Sequence, residues 1–135
     1  MATIKVDTSK FIPIYQQIKS QIKRQVALGL LKPHQMLPSI RDLAADLLIN
    51  PNTVARAYRE LEMEGYIYTR KGKGCYVSIL NSAMIEEERA LVINQIFDDA
   101  IEEGMKFNIP HERLKQIFEE RLSSVDKRKD VMKDD

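Results

Sequence analysis

Apolar residues recur every four positions at Ile14, Ile18, Ile22 and Val26, with Tyr15 alongside. That is the stripe of an amphipathic helix. Pro13 is expected at its first helical position, where a missing N–H costs nothing, and Gly29 supplies the stop. After a connector with two prolines, Ser39 and Asp42 have the spacing of a capping box. Ile40, Leu43, Ala44 and Leu47 then predict a short helix ending near Ile49. Asn50 as N-cap and Pro51 as first residue open a third helix, which runs to about Glu64 and stops at Gly65. Beyond Gly65 the pattern changes to two β-prone runs, residues 66–70 and 75–78, joined by Lys71-Gly72-Lys73-Gly74. Two glycines in four residues suit a hairpin loop with positive φ values. Residues 3–6, ahead of the first helix, read as a short strand.

From Asn81 the pattern is helical. One helix is expected from Ser82 to about Glu103, ended by Gly104 and carrying Ile85, Ile93, Ile96, Phe97, Ala100 and Ile101. Asn108 and Pro110 mark another start, followed by Leu114, Ile117, Phe118, Leu122 and Val125. The highly charged end, residues 126–135, is expected to fray. The whole predicts a mainly α fold with a small β-hairpin wing. Residues 1–80 form a winged helix-turn-helix (helix-turn-helix about 40–59, wing about 66–78), and residues 81–135 form a two-helix tail.

Charge sharpens this division. The net charge of +1 conceals twelve Lys/Arg against six Asp/Glu in residues 1–80, and nine against fourteen in residues 81–135. A basic first half is suited to a polyanion. No apolar run approaches the ~20 residues that cross a bilayer, and residues 1–10 lack a signal-peptide core. The expectation is a cytoplasmic protein with no membrane partner. One cysteine, Cys75, rules out an internal disulfide framework. His111-Glu112 has no second histidine at helical spacing, so no metal site or cofactor is expected. Glu86-Glu87-Glu88 reads as a solvated acidic first turn.

At about 100° per residue, Val54, Ala57, Tyr58 and Leu61 of the third helix face a core, while Asn52, Arg56 and Arg59 face away. An amide pairs bidentately with adenine, and a guanidinium with guanine or phosphate. Thr53 lies near the helix N-terminus, where hydroxyl and backbone N–H groups meet phosphate. Lys71, Gly72 and Lys73 form a basic wing tip. With the cap residues Ser39 and Asn50 and with Arg41 in the first turn of the second helix, these are the candidate DNA-binding residues.

Residues 13–18 (Pro-Ile-Tyr-Gln-Gln-Ile), 37–44 (Leu-Pro-Ser-Ile-Arg-Asp-Leu-Ala), 52–54 (Asn-Thr-Val) and 57–65 (Ala-Tyr-Arg-Glu-Leu-Glu-Met-Glu-Gly) resemble the GntR family of bacterial regulators. The run from Asn50 to Tyr58 and the short tail look like its YtrA-like subfamily. The resemblance implies a dimeric repressor or activator, with a repressor the expectation, that places the third helix in the major groove and the wing on the minor groove or backbone of an inverted-repeat operator. It also implies DNA contacts from Arg41, Asn52, Thr53 and the wing tip at Gly72. Pro51 stands where many relatives carry a base-reading arginine, and Ala55 where another is frequent, so Arg56 is expected to take over part of the readout. His34 replaces the usual glycine after Pro33, which implies a strained or rearranged turn.

A tail of this length is marginal alone, so its apolar stripes need another surface. A second copy of the chain is the simplest one, giving a two-fold interface through Ile93, Phe97, Ile101, Leu114, Phe118, Leu122 and Val125. Folding back on the first helix is the alternative. The sequence contains no phosphate-cradling glycine motif, serine elbow or paired histidines, so no enzyme is expected. The competing function is a winged-helix protein-interaction module without specific DNA binding. No residue pattern identifies an effector.

Overall fold

A computed structural model describes residues 3–133. The elements are α1 (Ile14–Ala27), α2 (Ile40–Leu47), α3 (Pro51–Met63), β1 (Ile67–Arg70), β2 (Gly74–Val77), α4 (Ser82–Lys106) and α5 (His111–Lys133). They fall into two compact units, one reaching Val92 and the other starting at Ile93.

In the first unit α3 is the central element, packed on α1, α2 and β1. Its buried face is Val54, Ala57, Tyr58 and Leu61, as the 3.6-residue period requires. These meet Ile18, Ile22 and Val26 of α1, Leu43 and Ala44 of α2, and Ile67 and Val77 of the hairpin. Both predicted caps form. The Asp42 N–H donates to Ser39 Oγ at 3.0 Å, and the Asn52 N–H to Asn50 Oδ1 at 2.9 Å. Pro13 lies one position earlier than expected, at the N-cap of α1. Between α2 and α3 the chain turns on Leu48, whose φ of +57° is left-handed and whose side chain is fully in solvent.

Residues 3–6 form no strand. Three glutamines one helical turn apart on α1 hold the extended segment instead. Gln17 pairs with both backbone groups of Asp7, and Gln21 with both of Lys5. Gln25 donates to the Thr3 carbonyl. A primary amide offers a donor and an acceptor together, so a row of them does the work of a strand neighbour. The segment thereby buries Ile4 in the core.

The hairpin pairs Ile67 with Val77 and Arg70 with Gly74 in antiparallel register. The connector before α2 runs along its free edge. The His34 N–H donates to the Val77 carbonyl at 2.7 Å, the Val77 N–H to Gln35 at 2.9 Å, and the Leu37 N–H to Cys75 at 2.9 Å. His34 takes the left-handed conformation expected of the glycine it replaces, at φ +68°. Its Nδ1 lies 2.8 Å from the Tyr68 hydroxyl, an anchor that offsets the backbone cost.

Glu88 departs from the expected solvated surface. It is 7% exposed and accepts a hydrogen bond from the Tyr66 hydroxyl at 3.1 Å. Leu80 and Met84 also pack on the core of this unit.

In the second unit Gly104 is no stop. It is a buried helical residue, and a Cβ there would come within 2.7 Å of Leu114 Cδ2. The absent side chain permits close approach of α4 and α5. The helix ends instead at Lys106, and Asn108 just beyond it is left-handed at φ +57°, with the Ile109 N–H returning to the Gly104 carbonyl at 2.9 Å. Phe97 and Phe118 meet edge to face at 5.5 Å. The expected fraying does not begin at Asp126, since α5 continues to Lys133; residues 134 and 135 lie outside the described residues.

Candidate nucleic-acid interface

The buried stripe of α3 leaves Asn52, Arg56 and Arg59 exposed on its opposite side. Pro51 and the Asn50 cap fix the start of this helix, so Asn52 and Arg56 project from its first two turns and Arg59 from the third. Thr53 is half-buried, and its N–H is bound to the Asn50 carbonyl at 3.0 Å. Ser39 and Arg41 are exposed at the start of α2. Ser39 Oγ and Asn50 Oδ1 each accept a capping N–H, and Ser39 Oγ and the Asn50 amide nitrogen keep donors of their own.

The carboxylates of α3 decide whether this face tolerates a polyanion. Glu60 is bound by Lys19 of α1 at 2.9 Å and by Arg56 at 3.0 Å. Glu64, just past the helix end, pairs with Lys19 at 2.9 Å and Lys23 at 3.0 Å. Glu62 accepts from the Thr69 N–H at 3.2 Å and its hydroxyl at 3.0 Å, which ties α3 to the wing. Every acid of the helix is thus occupied by a protein donor. The hydrogen bonds from Lys19 and then Arg56 hold the Glu60 carboxyl below its ordinary range. Arg59 is exposed and forms no ion pair among the described residues.

Arg56 is held differently from the simple outward projection expected of it. Its guanidinium stacks 3.7 Å from the centre of the Tyr15 ring, and Nη2 donates to the Tyr15 hydroxyl at 3.1 Å. The two residues are 41 positions apart, and no local pattern in the chain signals the pair.

The wing tip is a turn closed by the Lys73 N–H on the Arg70 carbonyl at 2.9 Å, with Gly72 at φ +75°. That φ at the third turn position is the one glycine adopts freely. Lys71 and Lys73 are exposed at the tip. Behind them the Tyr76 hydroxyl donates to the Lys73 carbonyl at 2.7 Å, and Tyr76 stacks on Tyr68 at 5.6 Å. Among the described residues no group of three or more His, Cys, Asp or Glu is placed to hold a metal ion, and no helix is long and apolar enough to cross a membrane.

The tail residues Ile93, Phe97, Ile101, Phe118, Leu122 and Val125 each keep 44–49% of their surface exposed, and Leu114 is half-buried. An apolar groove of about 370 Å³ lies between Phe97, Ile101, Leu114 and Phe118.

The profile of the bacterial regulatory proteins of the gntR family matches residues 14–77. The HTH-type transcriptional repressor YtrA of Bacillus subtilis is 38% identical over 118 residues, covering 84% of this chain and 91% of that protein. The chain belongs to the GntR family. As a GntR protein it is a sequence-specific, double-stranded-DNA-binding transcription regulator, and YtrA-like proteins are among its relatives. A GntR family transcriptional regulator from Listeria monocytogenes superposes with a TM-score of 0.63 at 34% identity, covering 85% of this chain and 98% of that one. YtrA from Sulfolobus acidocaldarius, a GntR-family transcription factor, gives 0.55 at 36% identity, with coverages of 69% and 96%. The likeness to the Listeria protein, at 85% of this chain, therefore extends past the winged helix-turn-helix into the helical tail.

Proposed function

We propose that this GntR regulator is a homodimeric repressor of an inverted-repeat operator. In this reading α3 enters the major groove with Asn52, Thr53, Arg56 and Arg59, while Ser39, Arg41 and Asn50 engage the flanking backbone. Lys71, Gly72 and Lys73 meet the minor groove or its phosphates. The observation that carries it is the outer face of α3, where Asn52 and Arg59 are exposed, Arg56 keeps three N–H donors, and each neighbouring acid is engaged by a protein donor: Glu60 and Glu64 in ion pairs and Glu62 in hydrogen bonds from Thr69. The half-exposed apolar stripes of α4 and α5 support pairing with a second copy. Burying a large apolar side chain contributes roughly 1.5–3 kcal/mol, so several across two chains outweigh the cost of association.

Selection of duplexes from a random pool tests the first claim, and an inverted repeat is the expected product. Enrichment of no sequence, or of an unpaired half-site alone, refutes it. Light scattering tests the second. The full chain should be a dimer at tens of micromolar. A chain ending at Val92, which keeps Leu80, Met84 and Glu88 on the core, should be a folded monomer. A truncated chain that stays dimeric would place the interface elsewhere.

A further inference from the structure

Arg56 stands on the face assigned to DNA, yet two of its neighbours already hold it. Nε donates to Glu60 Oε2 at 3.0 Å, and Nη2 donates to the Tyr15 hydroxyl at 3.1 Å. The guanidinium carbon Cζ lies over the Tyr15 ring, 3.7 Å from its centre. The far side of Glu60 is fixed in turn by Lys19. A guanidinium has five N–H donors. Two are spent on these bonds, and three remain on a side chain that is 53% exposed.

A free arginine on a helix surface samples many rotamers and loses that freedom when it binds. An arginine stacked on a ring and bonded at two nitrogens has lost it in the free protein, so less is lost on the duplex. Tyr15 belongs to α1, outside the helix-turn-helix, and is half-buried against the core. Its ring is therefore a fixed platform.

We propose that Tyr15 is a positioning residue for duplex recognition. Through its ring and hydroxyl it presents the three remaining Arg56 donors to acceptor oxygens of the DNA. This rests on the assignment of the outer face of α3 to the duplex. The arrangement also accounts for how Arg56 contributes from a position that points partly toward α1. The direction of the guanidinium is set by a residue 41 positions earlier in the chain.

The experiment measures affinity of the full-length protein for its selected operator and for single-base-pair variants, over a salt series. The proteins are the parent, Tyr15→Phe, Tyr15→Leu, Glu60→Gln, Arg56→Ala and the double variant Tyr15→Leu/Arg56→Ala. Arg56→Ala is expected to lose roughly 5- to 150-fold, the range of one good base contact. Tyr15→Leu should lose about tenfold in the parent and nothing further in the Arg56→Ala background, because neighbours acting through one contact are not additive. Tyr15→Phe, which keeps the ring under the guanidinium and loses the hydroxyl's bonds from Arg56 and Gln16, should lose about two- to threefold, as should Glu60→Gln. Loss concentrated at one base pair identifies a guanine edge as the acceptor. Uniform loss with a shallower salt dependence identifies a phosphate. Both support the proposal. Additive losses in the double variant overturn it, and so does full affinity and discrimination in Tyr15→Leu while Arg56→Ala is weakened. If Arg56→Ala binds like the parent, the face assignment itself has failed. Circular dichroism of each variant separates these outcomes from unfolding, and Tyr15→Phe with Glu60→Gln decides the matter if Tyr15→Leu does not fold.

Discussion

Removal of one hydroxyl, in Tyr66→Phe, should destabilise the first unit without touching the face proposed to bind DNA. The Tyr66 hydroxyl donates a hydrogen bond to the carboxylate of Glu88, a residue only 7% exposed. Among the described residues every buried side-chain nitrogen and oxygen has a partner, so the substitution creates a defect in an otherwise satisfied interior. The ring remains, and with it the Lys23 ammonium 5.0 Å from its centre, so the change isolates the hydrogen bond. Leaving a buried polar group unpaired costs about 1–3 kcal/mol, and more for a charged one. A loss of about 2 kcal/mol corresponds to a fall in Tm of roughly 8–16 °C for a domain of this size. The double variant Tyr66→Phe/Glu88→Leu removes both partners and should recover most of the loss. Urea titration followed by far-UV circular dichroism at neutral pH measures each value. The phenol adds a second handle. Burial first, and then the Glu88 charge, raise its pKa above the ordinary 10.0. A raised folded value means that this stabilisation is complete below pH 10 and is lost as the pH rises further. The Phe variant should show a weaker alkaline decline, keeping the shares of Tyr58, whose phenol burial also raises, and of Lys19, whose ammonium is raised, against the opposing effect of burial, by Glu60 and Glu64. A Tyr66→Phe loss below about 0.5 kcal/mol, or a double variant as unstable as the sum of its singles, would refute the reasoning.

Other consequences are equally direct. Leu48→Asn should stabilise the protein by about 0.5–1 kcal/mol in the same titration, since a left-handed leucine is strained and this one has no packing to lose; an unchanged or lower midpoint would show that the turn is not strained. Lys73→Ala should weaken binding to all duplexes alike and reduce the salt slope by about one counterion, read by fluorescence anisotropy. A sequence-dependent loss would place Lys73 on a base edge. On the acid side, Glu60 contributes stability that is present above its ordinary 4.5 and is lost as pH falls through its depressed folded value. Glu60→Gln should therefore flatten that limb of the pH-stability curve, and an unaltered limb would show that the Lys19 and Arg56 bonds do not persist in solution.

The elements of the reader follow from local rules that the chain obeys one residue at a time. Ser39 and Asn50 cap, Pro51 starts, Gly72 turns, and the four-residue stripe of α1 and the buried face of α3 are spelled out by hydrophobic spacing. Such signals act within one or two turns, so a single sequence carries them complete. What the tertiary structure decided are the pairings between distant positions. The glutamines of α1 replaced a strand that β-propensity had implied for residues 3–6, because side-chain amides satisfied the same backbone groups. Gly104 has the composition of a helix stop, yet it became a packing point once Leu114 arrived against it. Glu88 belongs to an acidic run typical of a solvated surface, and only the position of Tyr66 turned it inward. Arg56 was legible as an exposed cation, but its direction belongs to Tyr15, Glu60 and the packing of α1 on α3. Local chemistry selects helix, turn and cap. Which polar groups meet depends on how the helices pack, and periodicity carries no record of that.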